Sequence, residues 1–241
     1  MGQRVLVLGD AHGNWKALRW ELQRHKPDLC IVAGDFGWFP NLAWALTETN
    51  GWFLNHLLQE CLEICPIHFI DGNHEHHPSL IELAPRGSFE AVEIVPGLVY
   101  QPRGSRMQLA DGRTIFFAGG GKSVDWRARV ENVSWFREEI LEREHLPEKL
   151  PKSDIVISHT APAFFGIPEI LDFENRVRPG FWDLTPDPSA AILDEVLDVC
   201  RPRLWIASHF HRLFRGRYKK TEYRILDMLG SSYKDTSFCW L

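Results

Sequence analysis

Five times along this chain a short, almost uncharged run of branched residues breaks off into a cluster of Asp, Asn, His and Gly. Residues 4–8 (RVLVL) run into Gly9-Asp10-Ala11-His12-Gly13, residues 29–33 (LCIVA) into Gly34-Asp35, and residues 67–70 (IHFI) into Asp71-Gly72-Asn73-His74-Glu75. Residues 154–158 (DIVIS) lead to His159, and residues 204–208 (LWIAS) to His209-Phe210-His211. An apolar run without polar alternation reads as a strand buried on both faces, so something must cover it on each side. The cover lies between the runs. Residues 15–25 after an Asn14 cap, 52–64, 134–145 after a Ser134 cap, and 188–200 all read as helices. Strands alternating with helices imply an α/β fold with right-handed crossovers.

The middle and the end of the chain add shorter strands at 98–100, 107–109 and 114–118, the last two joined by the hairpin signal Asp111-Gly112. Strands at 214–218, 224–228 and 238–241 follow the last helix. The expected architecture is an α/β sandwich of two sheets packed face to face, with helices outside (α-β-β-α), built as one domain from residues 1–241.

The five cysteines, Cys30, Cys61, Cys65, Cys200 and Cys239, are odd in number and scattered, which does not make a disulfide framework. Cys61 and Cys65 could share a helix face, where they read as small core residues rather than a metal pair. Reduced thiols and no N-terminal signal predict a cytoplasmic protein. No apolar run approaches the ~20 residues of a membrane span. A net charge of −5 gives no electrostatic ground for wrapping a long nucleic acid. Oligomeric state is not encoded in any of these features.

In open α/β sheets ligands gather at the carboxyl ends of strands, where all five polar clusters lie. They supply Asp10, His12, Asp35, Asn73, His159, His209 and His211. Mixed oxygen and imidazole donors suit divalent Mn, Fe, Zn or Ni. Seven donors are too many for one tetrahedral site and about right for two metals sharing a carboxylate.

The ordered set GDAHGN, GD, GNHE, SH and SHFH closely resembles the calcineurin-like metallophosphoesterases, from the first strand to His211. That resemblance implies a dinuclear, metal-dependent phosphohydrolase acting on phosphate mono- or diesters of small molecules or nucleotides. It further implies that Asp10, His12 and His211 bind one divalent metal, that Asn73, His159 and His209 bind the other, and that Asp35 bridges both, with manganese as the leading candidate. A metal-bridging hydroxide would attack phosphorus. His74 would then be no ligand but a catalytic residue, contacting the phosphate and serving the leaving oxygen, with Glu75 or Asp71 as a carboxylate that orients it. His76 and His77, beyond the motif, are expected to stay out of the metal's coordination sphere. Alternatives on the same fold are a nuclease or cyclic-nucleotide phosphodiesterase and, from another class, a catalytically silent binding scaffold.

Two departures matter. Many relatives continue the second motif as Gly-Asp-x-x-Asp-Arg-Gly, where the Arg holds phosphate; here it reads GDFGWFP, and that bidentate contact is missing. The stretch Gly119-Gly120-Gly121-Lys122-Ser123 resembles a P-loop but lacks the required first Gly, since Phe116 stands there. It resembles instead a Gly-Gly-x-x-Ser-Val-Asp stretch of uncharacterised bacterial and phage phosphoesterases. Lys122, Arg127 or Arg129 could return the missing positive charge, or belong to a solvated basic patch. Of the ten tryptophans, Trp15, Trp38, Trp126 and Trp135 lie near motif loops. Trp38 is the first candidate to stack on a substrate ring. Residues 137–144 read as a solvated acidic helix face, and 161–187 as a lid.

Overall fold

The computed structural model describes residues 2–39, 50–168, 181–231 and 235–241. Among these residues, twelve strands form two six-stranded sheets. The first contains β1 (Val5–Leu8), β2 (Leu29–Val32), β3 (Ile67–Phe69), β4 (Val92–Val95), β5 (Leu98–Tyr100) and β12 (Phe238–Trp240), in the order β12-β1-β2-β3-β5-β4. The second contains β6 (Arg106–Gln108), β7 (Thr114–Ala118), β8 (Ile155–Ser158), β9 (Leu204–Ala207), β10 (Phe214–Tyr218) and β11 (Thr221–Ile225), in the order β10-β11-β9-β8-β7-β6. The inner pairings are parallel and the outer ones antiparallel. Antiparallel edges close a sheet whose centre must be covered on both faces.

Alternation along the strands divides the core into three layers. Val5, Val7, Ile31, Ile115, Phe117, Ile155, Ile157 and Ile206 fill the space between the sheets. From the same strands, Leu6, Leu8 and Val32 pack outward with α1 (Trp15–His25) and α2 (Asn50–Ile64). Phe116, Val156 and Trp205 pack outward on the second sheet with α4 (Pro188–Cys200). The fold is therefore the expected sandwich of two sheets between helical layers. Asn14 caps α1 through Ala17 N, and Asp187 caps α4 through Ser189 N. All five cysteines are buried and unbridged, and burial pushes the thiols of Cys61 and Cys65 up to about 12 and about 11. They are packing residues. Among the described residues no helix is long and apolar enough to cross a membrane.

Three expectations need correction. Residues 134–145 are not a helix but two short 3₁₀ turns, Arg137–Glu139 and Arg143–His145. The carbonyls that a helix would use for its own ladder are taken. Arg103 donates from Nη2 to Glu138 O (2.8 Å) and Glu139 O (3.0 Å) and from Nη1 to Ile140 O (2.7 Å), while Gly121 N also donates to Glu139 O. The acidic run is solvated only in part: Glu142 and Glu144 are exposed, while Glu139 is buried. The strand expected at 224–228 begins earlier, at Thr221, since a tight turn at Lys219-Lys220 pairs Tyr218 with Thr221. Strand β4 and the short helix α3 (His77–Leu83) lie where the sequence reading placed no element.

Arg103 also holds the buried Asp71, with Nε and Nη2 each 2.8 Å from Oδ2, and Tyr100 donates to Oδ1 at 3.0 Å. Removing one partner of such a buried pair strands the other charge. Arg103→Met is expected to cost about 3–5 kcal/mol in urea unfolding; a loss under about 1 kcal/mol would show that this hub does not hold residues 137–145 in place.

Candidate metal centre

The residues singled out at the five strand ends come together where the carboxyl ends of β1, β2, β3, β8 and β9 meet. His211 Nε2 lies 3.0 Å from Asp10 Oδ2 and 3.0 Å from His12 Nε2. His12 Nε2 is 3.7 Å from Asp35 Oδ2 and 4.0 Å from Asp10 Oδ2. A second set surrounds His159, whose Nε2 is 2.9 Å from Asn73 Oδ1, 3.1 Å from His209 Nδ1 and 3.4 Å from Asp35 Oδ1. Asp35 thus turns one carboxylate oxygen toward each set.

The protonation pattern of these groups suits cations. His159 Nδ1 is 3.0 Å from the Ala33 carbonyl, which can only accept, so the ring proton sits on Nδ1 and Nε2 is bare. That bare nitrogen faces another acceptor, Asn73 Oδ1. Asp10 Oδ2 is buried and, among the described residues, has no aligned hydrogen-bond donor, although His211 Nε2 is close. Lone pairs crowded together in a buried place repel unless a proton or a cation lies among them. Ligand atoms of Asp10, His12, Asp35 and His211 all fall within 4.8 Å of one another. The donor set therefore fits divalent metal.

Electrostatics point the same way. Burial raises the Asp10 carboxyl, but contact with His211 outweighs it and holds the group below the usual carboxylate range. Asp35 is likewise raised by burial and lowered further by His159, His74 and His12. Burial pulls His209 down to about 4. Burial also opposes charge on His211, yet contact with Asp10 prevails and pushes it up to about 9.

The backbone is bent to make this convergence. His12, Asp35, His209 and His211 all have left-handed φ, between 44° and 70°. Non-glycine residues hold that conformation only where their surroundings fix it. Here Ala11 N and His12 N both donate to Asp35 O, His74 N donates to Asp35 Oδ1 (2.7 Å), and His209 N donates to Asp10 Oδ1 (3.1 Å). Glu75, fully buried, accepts from Gly37 N (3.0 Å) and Gly72 N (2.6 Å), tying the second motif loop to the third. Gly34 (φ 95°) and Gly72 leave no room for a side chain: a Cβ at either would strike the His159 ring, and at Gly72 also the Asp35 carboxylate.

His74 stands beside the cluster, its ring 4.9 Å from that of His12. Its partner is Arg129, whose Nη2 lies 2.6 Å from His74 Nε2. Arg129 is gripped in turn by both Asp125 oxygens (2.8 and 3.0 Å). A guanidinium only donates, so His74 Nε2 accepts. Neither carboxylate expected to orient His74 does so, since Glu75 binds backbone and Asp71 binds Arg103 and Tyr100.

The other expected substrate contacts are turned elsewhere. Lys122 is buried, and its ammonium bonds to Asp183 O (3.0 Å) and to both oxygens of Thr185. Arg127 lies 3.7 Å from Asp183 and stacks on Trp126. Trp38, half-buried, packs against Phe69 in the layer between the first sheet and its helices and donates to Ser79 Oγ at 2.9 Å. His76 meets Ser79 and Phe136, and His77 is buried against Phe136. The cleft over the cluster, about 270 Å³, is instead walled by Trp182, Phe210, Phe214 and Arg212, none of which was marked as a contact in the sequence. Phe210 and Arg212 flank motif residues, and their position alone was the available signal. Of the expected lid, Pro168 and Trp182 line the cleft, and residues 169–180 fall outside the described residues.

Comparison with known proteins gives one family and a consistent fold. Residues 3–213 match the calcineurin-like phosphoesterase family model. A lariat debranching enzyme of Schizosaccharomyces pombe is 27% identical, an alignment covering 97% of this chain and 53% of that protein. The chain thus spans about half the length of the curated relative it matches. Among solved structures, a dimetal phosphatase from Danio rerio superposes with a TM-score of 0.57 at 14% identity, covering 99% of this chain and 91% of that one. TT1561 of Thermus thermophilus superposes with a TM-score of 0.51 at 12% identity, covering 95% and 91%. At such identities these structures speak for the fold alone.

The close packing at Gly34 makes a direct test of the cluster. Gly34→Ala is expected to displace His159 and lower metal uptake at least about 10-fold while the far-UV circular dichroism stays native. Unchanged uptake by elemental analysis would mean that the His159 position is not needed for metal.

Proposed function

Because the chain belongs to the calcineurin-like phosphoesterase family, we propose that the cluster holds two divalent cations and that the protein hydrolyses a phosphate mono- or diester in the cleft above them. The observation that carries this reading is the Asp35 carboxylate, with one oxygen toward His12 and the other toward His159. Two cations bound there would neutralise phosphate charge and lower the pKa of a water to near neutrality.

The chain's own residues have separable tasks. Asp10, His12 and His211 would hold one cation, Asn73, His159 and His209 the other, and Asp35 both. The neutral amide of Asn73 limits the negative charge facing a phosphate. His74 is a catalytic residue in this reading, placed to contact the phosphate and the leaving oxygen. Burial outweighs the attraction of Asp35 and pulls it down to about 4, so it is neutral at pH 7. Arg129, fixed by Asp125 against His74, is the cation that would stand in for the Arg absent from the second motif. The aromatic wall of Trp182, Phe210 and Phe214 favours an ester that carries a planar group, such as a nucleobase. Manganese is the first metal to try, and availability decides among these donors.

The test is turnover of p-nitrophenyl phosphate and bis(p-nitrophenyl) phosphate by manganese-loaded protein. Asp35→Asn should abolish activity and weaken metal binding together. His74→Ala should lower turnover about 100-fold or more with metal content intact. No turnover from protein with both positions filled would favour a silent binding scaffold. Loss of metal in His74→Ala would make His74 a ligand instead.

A further inference from the structure

The Gly119–Ser123 stretch is not a phosphate loop, and its lysine points away from the cleft. Its serine does not. The stretch leaves the carboxyl end of β7 and passes behind the cluster. There, Asn73 Nδ2 donates to Ser123 Oγ at 3.0 Å, and Ser123 Oγ donates to Glu139 Oε2 at 2.7 Å. Ser123 N donates to the other carboxylate oxygen, Oε1, at 2.7 Å. All three residues are buried: Asn73 is 4% exposed, Glu139 1% and Ser123 0%. The backbone of Glu139 is fixed as well, its carbonyl accepting from Gly121 N and Arg103 Nη2.

The geometry points to Glu139 and Ser123 as positioning residues that set which end of the Asn73 amide faces the metal. This rests on the two-cation reading and adds a residue pair to it. The reasoning is one of hydrogen-bond polarity. Burial pushes the Glu139 carboxyl up to about 7, so at pH 8 it is mostly ionised, and a carboxylate only accepts. Glu139 therefore forces both Ser123 groups to donate toward it, and the serine oxygen is left to accept from Asn73. The amide nitrogen is consumed on that side, and Oδ1 faces His159 and the cluster. Without the relay the two ends of the amide are nearly isosteric, and a flipped Asn73 would turn an N–H toward the cation.

An inversion follows that a purely structural role would not produce. In Glu139→Gln the side-chain oxygen is expected to keep the Ser123 N–H, so the new NH₂ faces Ser123 Oγ. The hydroxyl must then accept there and donate toward Asn73, which drives the amide to flip. Ser123→Ala removes the relay without reversing it, and Ser123→Thr keeps the hydroxyl.

The experiment is calorimetric titration of Mn²⁺ into metal-free full-length protein at pH 8. Folding is checked by thermal melting. Wild type is expected to take up two ions. Ser123→Ala should weaken one binding step about 10- to 100-fold and leave the other unchanged. Glu139→Gln should weaken that same step at least as much, and Ser123→Thr should stay near wild type. Two ions in wild type with both steps unaltered in Ser123→Ala and Glu139→Gln would overturn the relay alone. Fewer than two ions in wild type would overturn the two-cation reading and the relay with it. If Glu139→Gln does not fold, Ser123→Ala against Ser123→Thr decides: equal affinities refute the relay, and a selective loss in the alanine variant supports it.

Discussion

The structure is organised around a crowding of electron pairs. Two buried carboxylates, one amide oxygen and several imidazole nitrogens are brought within about hydrogen-bonding distance of each other. Such an arrangement is costly without positive charge among the donors. The parallel strands exist to deliver it, because each ends in the same place with its polar residue facing the junction of the two sheets. Left-handed backbone at four of those residues, and glycines where no Cβ fits, are local costs of bringing five strand ends to one point.

Around this centre the loops are tied to each other rather than left to their own conformations. Glu75 binds two backbone N–H groups from different motif loops, Asp35 receives the amide of His74, and Arg103 collects carbonyls from residues 138–140. The charged groups outside the donor set thus have work in holding positions. Arg129 and Asp125 continue the pattern toward the cleft, where they set the partner of His74. Precision comes from these long-range bonds, and the open cleft with its aromatic wall is the part left to fit a substrate.

Much of this was legible in the sequence for a physical reason. A strand buried on both faces has to be an uninterrupted apolar run, so β1, β2, β3, β8 and β9 announce themselves, and the residue just past each run marks the site. Helices with a cap and a clear apolar stripe, α1 and α4, were equally plain. Residues 134–145 were misread because local propensity favours a helix there, while Arg103, some thirty-five residues away, takes the carbonyls a helix needs. Glu139 was hidden in an acidic run that looks solvated, and nothing local marks it as buried. Trp38 was marked by its place next to a motif, but its half-buried ring packs against the core at Phe69. The pairing of Arg129 with His74 spans 55 positions and follows from the fold alone.

The central claim is that Asp35 joins two donor sets into one centre for two cations. Electron paramagnetic resonance of protein loaded stepwise with Mn²⁺ tests it most directly. Two ions sharing a carboxylate are magnetically coupled, so the account predicts that the second equivalent converts an isolated six-line signal into a broad, exchange-coupled spectrum. A six-line signal that simply doubles with the second equivalent would contradict it.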